Sequence, residues 1–281
     1  MQSGNHSEDE NEGRIAVFSA GGLRGEVYST REDAAAAAAR GVGDHLRRLI
    51  AERGRAIGLF DSAPSQALFL ERLAREPVAW TRVIALQTGE FAGLGEDAPQ
   101  SRRFSLIDRL VKRVPMAEFH GMRGEAANPR AVMSNYGALL AARPADFAVL
   151  GLGRGGELGF LDSAGCDFDD PAPVRMIDLD DRLRHEQVEE GIFASLPAAP
   201  ARALAVTAPV ILGCARLFMI AAGAPYREAV NHLLHAEVSP ARPATILRAH
   251  ENVRLFLDAA AAGPGGGSVM PPGGTGWDSA S

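Results

Sequence analysis

A glycine-rich turn, GLGRGGELGF at residues 151–160, has the residue types needed to bind an anion. Its glycines at 151, 153, 155 and 156 permit positive φ angles and close approach of the backbone, which a cradle of backbone N–H groups requires. Residues 151–156 also match the G-x-G-x-x-G pattern of dinucleotide-binding turns. That match is weak, because the turn lies in mid-chain and neither the expected helix nor the later acidic residue follows it clearly.

Three carboxylates, Glu90, Glu157 and Asp162, are candidates for acid–base chemistry. A carboxylate that is partly desolvated or close to others has a raised pKa and can transfer protons near neutral pH. Each has a structural alternative: Glu157 as a solvated loop residue, Glu90 as a capping carboxylate, and Asp162 as an N-cap or Asx-turn residue.

Histidines and cysteines offer little evidence for a metal or a nucleophile. His232 and His235 are three residues apart on one predicted helix, but nothing nearby completes a metal site. The chain has two cysteines, Cys166 and Cys214, too few for a disulfide framework. Acidic neighbours should raise the pKa of the Cys166 thiol, which argues against a nucleophile. We therefore expect no metal, no cofactor and a reducing, cytoplasmic setting.

The elements that must position these residues alternate along the chain. Short apolar runs separated by amphipathic stretches indicate an α/β fold, a three-layer, mostly parallel Rossmann-like sheet with helices on both faces. Ligands bind such sheets beyond the carboxyl ends of the strands, so we expect chemistry in the loops at Asp61, Gln87, Gly153 and Gly223. The predicted strands are 14–19, 26–28, 56–60, 80–87, 147–152, 174–179, 203–207 and 217–221, and the predicted helices 30–53, 64–75, 105–113, 129–142, 226–236 and 246–262.

Composition sets limits on partners. The 281 residues are 46% apolar and carry a net charge of −6, which argues against a general binder of nucleic acids or of acidic membranes. No run approaches the roughly 20 apolar residues of a membrane span. Lys112 is the only lysine, so Schiff-base chemistry is nearly excluded. We predict one domain over 14–262, a disordered acidic tail over 1–13 and a disordered Gly/Pro-rich tail over 263–281.

Four blocks of the sequence resemble the glucosamine-6-phosphate deaminases, whose relatives include 6-phosphogluconolactonases. The turn and the following GFLD resemble G-[VI]-G-x-D-G-H-[IL]-[AG]-F-N-E-P, and residues 89–101 resemble D-E-Y-x-G-L with a downstream P-x-S. Residues 57–74 resemble the family's phosphate loop and the helix after it, and residues 203–223 align without a gap to A-L-T-x-G-x-x-T-[IL]-L-x-A-x-x-[VI]. The blocks occur in the family's order, so the resemblance implies its fold and a sugar-phosphate ligand.

The catalytic positions depart from this family. The resemblance places Gly89 where the family has the aspartate base, Gly155 at the aspartate of the turn and Glu157 at the histidine. Glu90 keeps an acidic residue of the first motif, and Asp162 replaces the glutamate that orients the histidine. The usual proton relay cannot operate with these residues, and the histidine is also the general base of the lactonases. Our hypothesis is that Glu157 replaces it as the base.

The predicted substrate-binding residues have changed as well. Asp61 in the phosphate loop is unfavourable beside a phosphate, so the site is either weakened or suited to an unphosphorylated sugar. Arg182 falls where the family keeps a phosphate-contacting arginine, and Tyr226 with Arg227 beside it where the family has a lysine; both arginines could equally be partners in surface ion pairs. The predicted substrate-binding set is Gly58, Asp61, Ser62, Ser65, Gly153, Arg154, Gly155, Arg182 and Arg227.

Two functional hypotheses follow. The first, which we favour, is a divergent deaminase/isomerase-like enzyme that acts on an amino sugar or sugar phosphate by carboxylate-mediated proton transfer. The second is a catalytically degenerate member that binds a sugar phosphate as a sensor or regulatory partner. In either case we expect a small-molecule sugar or sugar phosphate as ligand, no nucleic acid or membrane partner, and a homo-oligomer as an option.

Overall fold

The computed structural model describes residues 13–263, so the two predicted tails lie outside the described residues except for Gly13 and Gly263. Within the described range, no helix has the length and apolar character needed to cross a membrane. The strands are β1 (Arg14–Ala20), β2 (Leu23–Tyr28), β3 (Ala56–Phe60), β4 (Val83–Gln87), β5 (Gly89–Phe91), β6 (Glu118–His120), β7 (Phe147–Gly151), β8 (Val174–Asp178), β9 (Arg202–Val206), β10 (Arg216–Ala221) and β11 (Val253–Asp258). The α-helices are α1 (Arg31–Arg53), α2 (Ala67–Leu73), α3 (Arg102–Arg109), α4 (Pro129–Ala142), α5 (Asp181–Glu189), α6 (Ala208–Leu212), α7 (Arg227–His235) and α8 (Ala259–Ala262).

Eight strands form the main sheet in the order β1-β2-β11-β10-β7-β3-β4-β6. Strands β1 and β2 pair antiparallel, whereas the other neighbours pair parallel. A separate antiparallel sheet has the order β5-β9-β8. The predicted α/β class with a mostly parallel sheet is confirmed.

Alternating side chains of the parallel strands supply two apolar cores, one on each face of the main sheet. In β3, Ile57 and Leu59 belong to one core and Ala56 and Phe60 to the other. Helices α1, α2 and α3 contribute to the second core, while α4, α7 and the small sheet contribute to the first. This arrangement confirms the predicted layers, and it brings the loops after β3, β4, β7 and β10 to the same edge of the sheet.

The predicted closing helix over 246–262 is wrong. Residues 243–249 form a 3-10 helix, and Val253–Asp258 is strand β11, inserted between β2 and β10. Leu255 and Phe256 are fully buried there, because β11 is covered on both faces. The helix predicted over 105–113 begins earlier, where the Ser101 hydroxyl accepts a hydrogen bond from the N–H of Phe104. Sequence patterns did not predict β5 or β6.

Candidate functional site

A narrow pocket lies at the carboxyl edge of the main sheet. The loop after β3, the glycine-rich turn after β7, Tyr226 after β10 and helix α5 surround it. It encloses about 50 Å³, which is enough for one or two water molecules at roughly 30 Å³ each and too small for a whole ligand. That volume suits the anionic end of a ligand, with the rest of the molecule extending through the mouth.

Arg102, the first residue of α3, supplies a guanidinium to this pocket. The residue is only 8% exposed. Its guanidinium carbon lies 5.3 Å from the ring centre of Phe91 and 5.5 Å from that of Phe160. Burial lowers the pKa of Arg102, an effect that the carboxylates of Asp61 and Glu90 oppose. Within residues 13–263 the guanidinium makes no hydrogen bond or ion pair, so its N–H groups are available to an anionic ligand.

Glu90 holds the backbone around Arg102. This carboxylate is completely buried and accepts five hydrogen bonds: from the N–H groups of Phe91 at 2.8 Å, Arg102 at 3.0 Å and Arg103 at 2.6 Å, from the Ser101 hydroxyl at 2.8 Å and from the Gln87 amide at 3.2 Å. Three of these donors lie at the N-terminus of α3, where a negative charge is favourable. This geometry favours the capping role for Glu90 over a role in proton transfer.

Glu157 lies beneath the glycine-rich turn and does not line the pocket. It is 1% exposed, with Oε1 accepting from Nη2 of Arg182 and Oε2 from the N–H of Gly155 at 2.9 Å. A Cβ atom at Gly153 would lie 2.1 Å from Oε2, so glycine at 153 makes room for the carboxylate. Burial lowers the pKa of Arg182, but the hydrogen bond and charge of Glu157 outweigh it and raise that pKa. Glu157 and Arg182, both predicted as site residues, therefore form an ion pair with each other.

Asp61 closes the loop after β3. Its carboxylate accepts hydrogen bonds from the N–H groups of Ser62 at 2.7 Å, Ala63 at 3.2 Å and Gly151 at 3.0 Å. The last of these joins the loop to the end of β7. The Ser62 hydroxyl donates to the Arg102 carbonyl at 2.7 Å. Asp61 thus lines the pocket near Arg102, with oxygens already engaged by backbone donors.

Asp162 forms a turn instead of facing the pocket. Oδ1 accepts from the N–H groups of Ala164 at 3.0 Å and Gly165 at 2.8 Å. Oδ2 is buried without a hydrogen-bond partner among the described residues. Burial raises the pKa of the Cys166 thiol to about 12, and the negative charges of Asp167 and Asp162 add to this effect. This arrangement matches the Asx-turn alternative for Asp162.

The remaining predicted residues divide into two groups. Ser65, Gly153 and Arg154 line the pocket together with Asp61, and Arg154 also pairs with Glu189 at 3.2 Å. The structure places the other two elsewhere. Gly58 lies inside β3, where a Cβ would come within 2.4 Å of the Phe147 ring, and Arg227 donates to the carbonyl of Ala260.

Two carboxylates that the sequence did not single out, Glu186 on α5 and Glu190 just after it, face the pocket. Burial raises the pKa of both, although Arg182 opposes the effect at Glu186 and Arg102 opposes it at Glu190. Glu186 accepts a hydrogen bond from Arg182 at 2.7 Å. A carboxylate with a raised pKa beside a buried guanidinium is typical of an acid–base site. No group of three His, Cys, Asp or Glu residues in the described range could hold a metal ion.

Proteins named glucosamine-6-phosphate deaminase are similar in sequence to this chain over most of its length. A glucosamine-6-phosphate deaminase of Streptococcus pneumoniae serotype 4 is 26% identical over 216 residues, covering 77% of this chain and 90% of the relative. A deaminase of the same name from Exiguobacterium sp. (strain ATCC BAA-1283 / AT1b) is 30% identical over 182 residues, covering 65% of this chain and 70% of the relative. The chain belongs to the glucosamine-6-phosphate deaminase family. No model of a protein family matches it.

Solved structures share the fold of this family member. A monomeric glucosamine-6-phosphate deaminase superimposes with a TM-score of 0.76 at 24% identity, covering 85% of this chain and 98% of the other. The 6-phosphogluconolactonase of Trypanosoma brucei gives a TM-score of 0.71 at 17% identity, covering 87% and 98%. The resemblance to both groups predicted from four short motifs is therefore confirmed at the level of family and fold.

Proposed function

We propose that the protein binds a sugar phosphate in the carboxyl-edge pocket and transfers a proton on it through a carboxylate beside α5. The observation that carries this proposal is the buried Arg102 guanidinium, which faces the pocket without a hydrogen-bond or ion-pair partner among the described residues. Burying a cation without a partner is costly unless a ligand completes its hydrogen bonds. The relatives are named for glucosamine 6-phosphate, so its phosphate is the anion we assign to Arg102.

Glu190 is the proton-transfer group we assign. Burial raises its pKa, while the positive charges of Arg102 and Arg154 oppose that shift. Unlike Glu90 and Glu157, its carboxylate makes no hydrogen bond to the described part of the chain, which leaves it available to substrate. The hypothesis that Glu157 is the base stays a prediction, although both of its oxygens are engaged by Arg182 and Gly155.

A specific observation also favours binding without turnover. The positions that the family resemblance assigns to its proton relay hold Gly89, Gly155 and Glu157, and Glu157 is tied to Arg182 beneath the turn. A member of this kind would report the level of a sugar phosphate to a partner. The cytoplasmic setting stays a prediction in either case.

The test measures binding and chemistry separately. Glucosamine 6-phosphate and a panel of hexose and pentose phosphates are incubated with the protein in deuterated water, and C2-proton exchange, ketose formation and ammonia release are followed. Exchange that is lost in Glu190→Gln with affinity retained supports the enzyme. Exchange that persists in that variant contradicts the assignment of Glu190, and binding without exchange supports the sensor.

A substitution of Arg102 tests whether this residue binds the phosphate. Arg102→Met should weaken binding of glucosamine 6-phosphate by about 10- to 100-fold, as expected for lost hydrogen bonds to a charged group, without affecting binding of glucosamine. The exposed Arg130→Met is the matched control. Equal affinities of Arg102→Met and the parent protein would refute the anion site.

A further inference from the structure

A second concavity, separate from the pocket around Arg102, lies between α1 and the strands β1 and β2. Residues along β2 and the first residues of β10 and β11 complete it, and its volume of about 450 Å³ is in the range of small-molecule sites. Five arginines line it: Arg14, Arg24, Arg40, Arg216 and Arg254. We infer that this arginine groove binds a phosphorylated small molecule, independently of the pocket around Arg102.

Glu26 anchors the floor of the arginine groove. Its Oε1 accepts from Nε of Arg254 at 3.1 Å and from Nη2 at 2.5 Å. Oε2 accepts from the Tyr28 hydroxyl at 2.8 Å and lies 3.6 Å from Arg14 Nη1. Burial raises the pKa of Glu26, but Arg254 outweighs it and the net pKa is lowered. Glu26 is therefore ionised and fixes the orientation of Arg254.

Two further contacts hold Arg254 in place. Its guanidinium carbon lies 4.8 Å from the ring centre of Phe256. On the other side is Gly41 of α1, where a Cβ would come within 2.8 Å of Arg254 Nη1. Glycine is unfavourable inside a helix, and here it interrupts a helix whose preceding turns are rich in alanine. The helix thus accommodates the guanidinium with an otherwise unfavourable residue, as a constructed site requires.

The other three arginines of the arginine groove have no such partner. The guanidinium groups of Arg24, Arg40 and Arg216 make no hydrogen bond or ion pair with residues 13–263. Burial lowers the pKa of Arg216, and the neighbouring cations Arg48 and Arg254 lower it further. Like charges that crowd together in a concavity repel each other unless an anion lies between them.

The lining of the arginine groove carries a net positive charge. The five arginines face Glu26, Asp44 and Glu251, a surplus of two positive charges, whereas the chain as a whole has a net charge of −6. Asp44 is in addition paired with Arg47 at 2.6 Å. Arginine forks bind phosphate oxygens in pairs, so a phosphate monoester or a diphosphate matches both the charge and the donors.

Another arginine-lined concavity lies at the amino ends of β3, β4, β6 and β7. There, Arg53 pairs with Asp146 at 2.8 Å, and Arg143 pairs with Glu118. Arg55 and Arg82 also line it and make no hydrogen bond or ion pair with the described residues, so its lining too has a surplus of two positive charges. The arginine groove differs in that buried Glu26, the Phe256 ring and Gly41 of α1 fix one of its guanidinium groups, that of Arg254, in a defined position.

The experiment titrates the full-length protein with pyrophosphate by calorimetry at physiological ionic strength. The double variant R40Q/R216Q should bind at least about tenfold more weakly, and the exposed control R130Q should bind like the parent. R102M should also bind pyrophosphate through the arginine groove, which separates this site from the proposed function. Absence of pyrophosphate binding by R102M, or equal binding by R40Q/R216Q and the parent, would overturn the inference.

A thermal unfolding series distinguishes lost binding from lost folding. Without anion, R216Q should unfold at the same temperature as the parent or higher, because the substitution removes repulsion from Arg48 and Arg254. With pyrophosphate, the parent should be stabilised and R216Q much less so. Equal stabilisation of both proteins would contradict the role of Arg216. Should the double variant fail to fold, R40Q alone gives the same comparison.

Discussion

Replacing Glu90 by glutamine tests whether this carboxylate is structural or catalytic. The two side chains have the same shape, but glutamine has one oxygen and an NH₂ group in place of two oxygens. Oε1 of Glu90 accepts two hydrogen bonds and Oε2 accepts three. Whichever oxygen is replaced, at least two buried donors then face another donor.

The magnitude follows from those lost contacts. A hydrogen bond to a charged group contributes about 1.5–3 kcal/mol, so the loss of two lowers the free energy of unfolding by about 3–6 kcal/mol. That is a large part of the 5–15 kcal/mol typical of a folded protein. The nearby Glu96→Gln changes the same charge on an exposed side chain, and should change stability by less than about 0.5 kcal/mol.

Urea unfolding followed by far-ultraviolet circular dichroism measures both variants. The structural role requires that Glu90→Gln unfold at clearly lower urea than Glu96→Gln. It also requires that ligand affinity fall, because the backbone of Arg102 loses its acceptor. Parental stability of Glu90→Gln combined with lost proton exchange would refute this reasoning and make Glu90 a catalytic residue.

Burial and the nearby charge of Arg216 lower the pKa of His45 to about 4. As the pH falls from about 6.5 to 4, His45 therefore gains a proton in the unfolded chain but not in the folded one. The free energy of unfolding should fall in that range by up to about 3 kcal/mol. His45→Leu should remove this fall in unfolding experiments at pH 7 and pH 4.5, and an unchanged pH dependence would contradict the assignment. Burial raises the thiol pKa of Cys166 and Cys214 to about 12, so iodoacetamide at pH 8 should modify the native protein far more slowly than the denatured one; equal rates would argue against buried thiols. Gly58→Ala places a Cβ 2.4 Å from the Phe147 ring and should cost about 1–3 kcal/mol of stability, whereas lower ligand affinity in fully folded protein would favour its predicted binding role.

Strand β11 shows where sequence patterns fail for this fold. Val253–Asp258 lies between a 3-10 helix and a run of alanines. These neighbours give residues 246–262 as a whole the composition of a helix. The strand conformation of Val253–Asp258 depends on pairing with β2 and β10, which are distant in the sequence. The parallel strands β3, β4, β7 and β10 were predictable because each is a short apolar run that identifies itself locally.

The site was predictable to a similar extent. The four expected loops do meet at the carboxyl edge, since their position follows from strand direction alone. Arg102 was missed because an arginine in a polar stretch gives no local sign of burial; the only nearby signal was the preceding P-x-S segment at 99–101. The pairing of Glu157 with Arg182 joins residues 25 positions apart, and spacing does not reveal it.

The two rings beside Arg102 have a consequence for the entropy of binding. A free arginine side chain loses up to about 2 kcal/mol of rotamer entropy when a ligand orders it. Phe91 and Phe160 already restrict the guanidinium before any anion arrives, so little of that entropy remains to be lost. Lysine at this position would keep the charge but lack the planar group that lies against the rings. The pocket therefore selects for arginine by preorganisation as well as by charge.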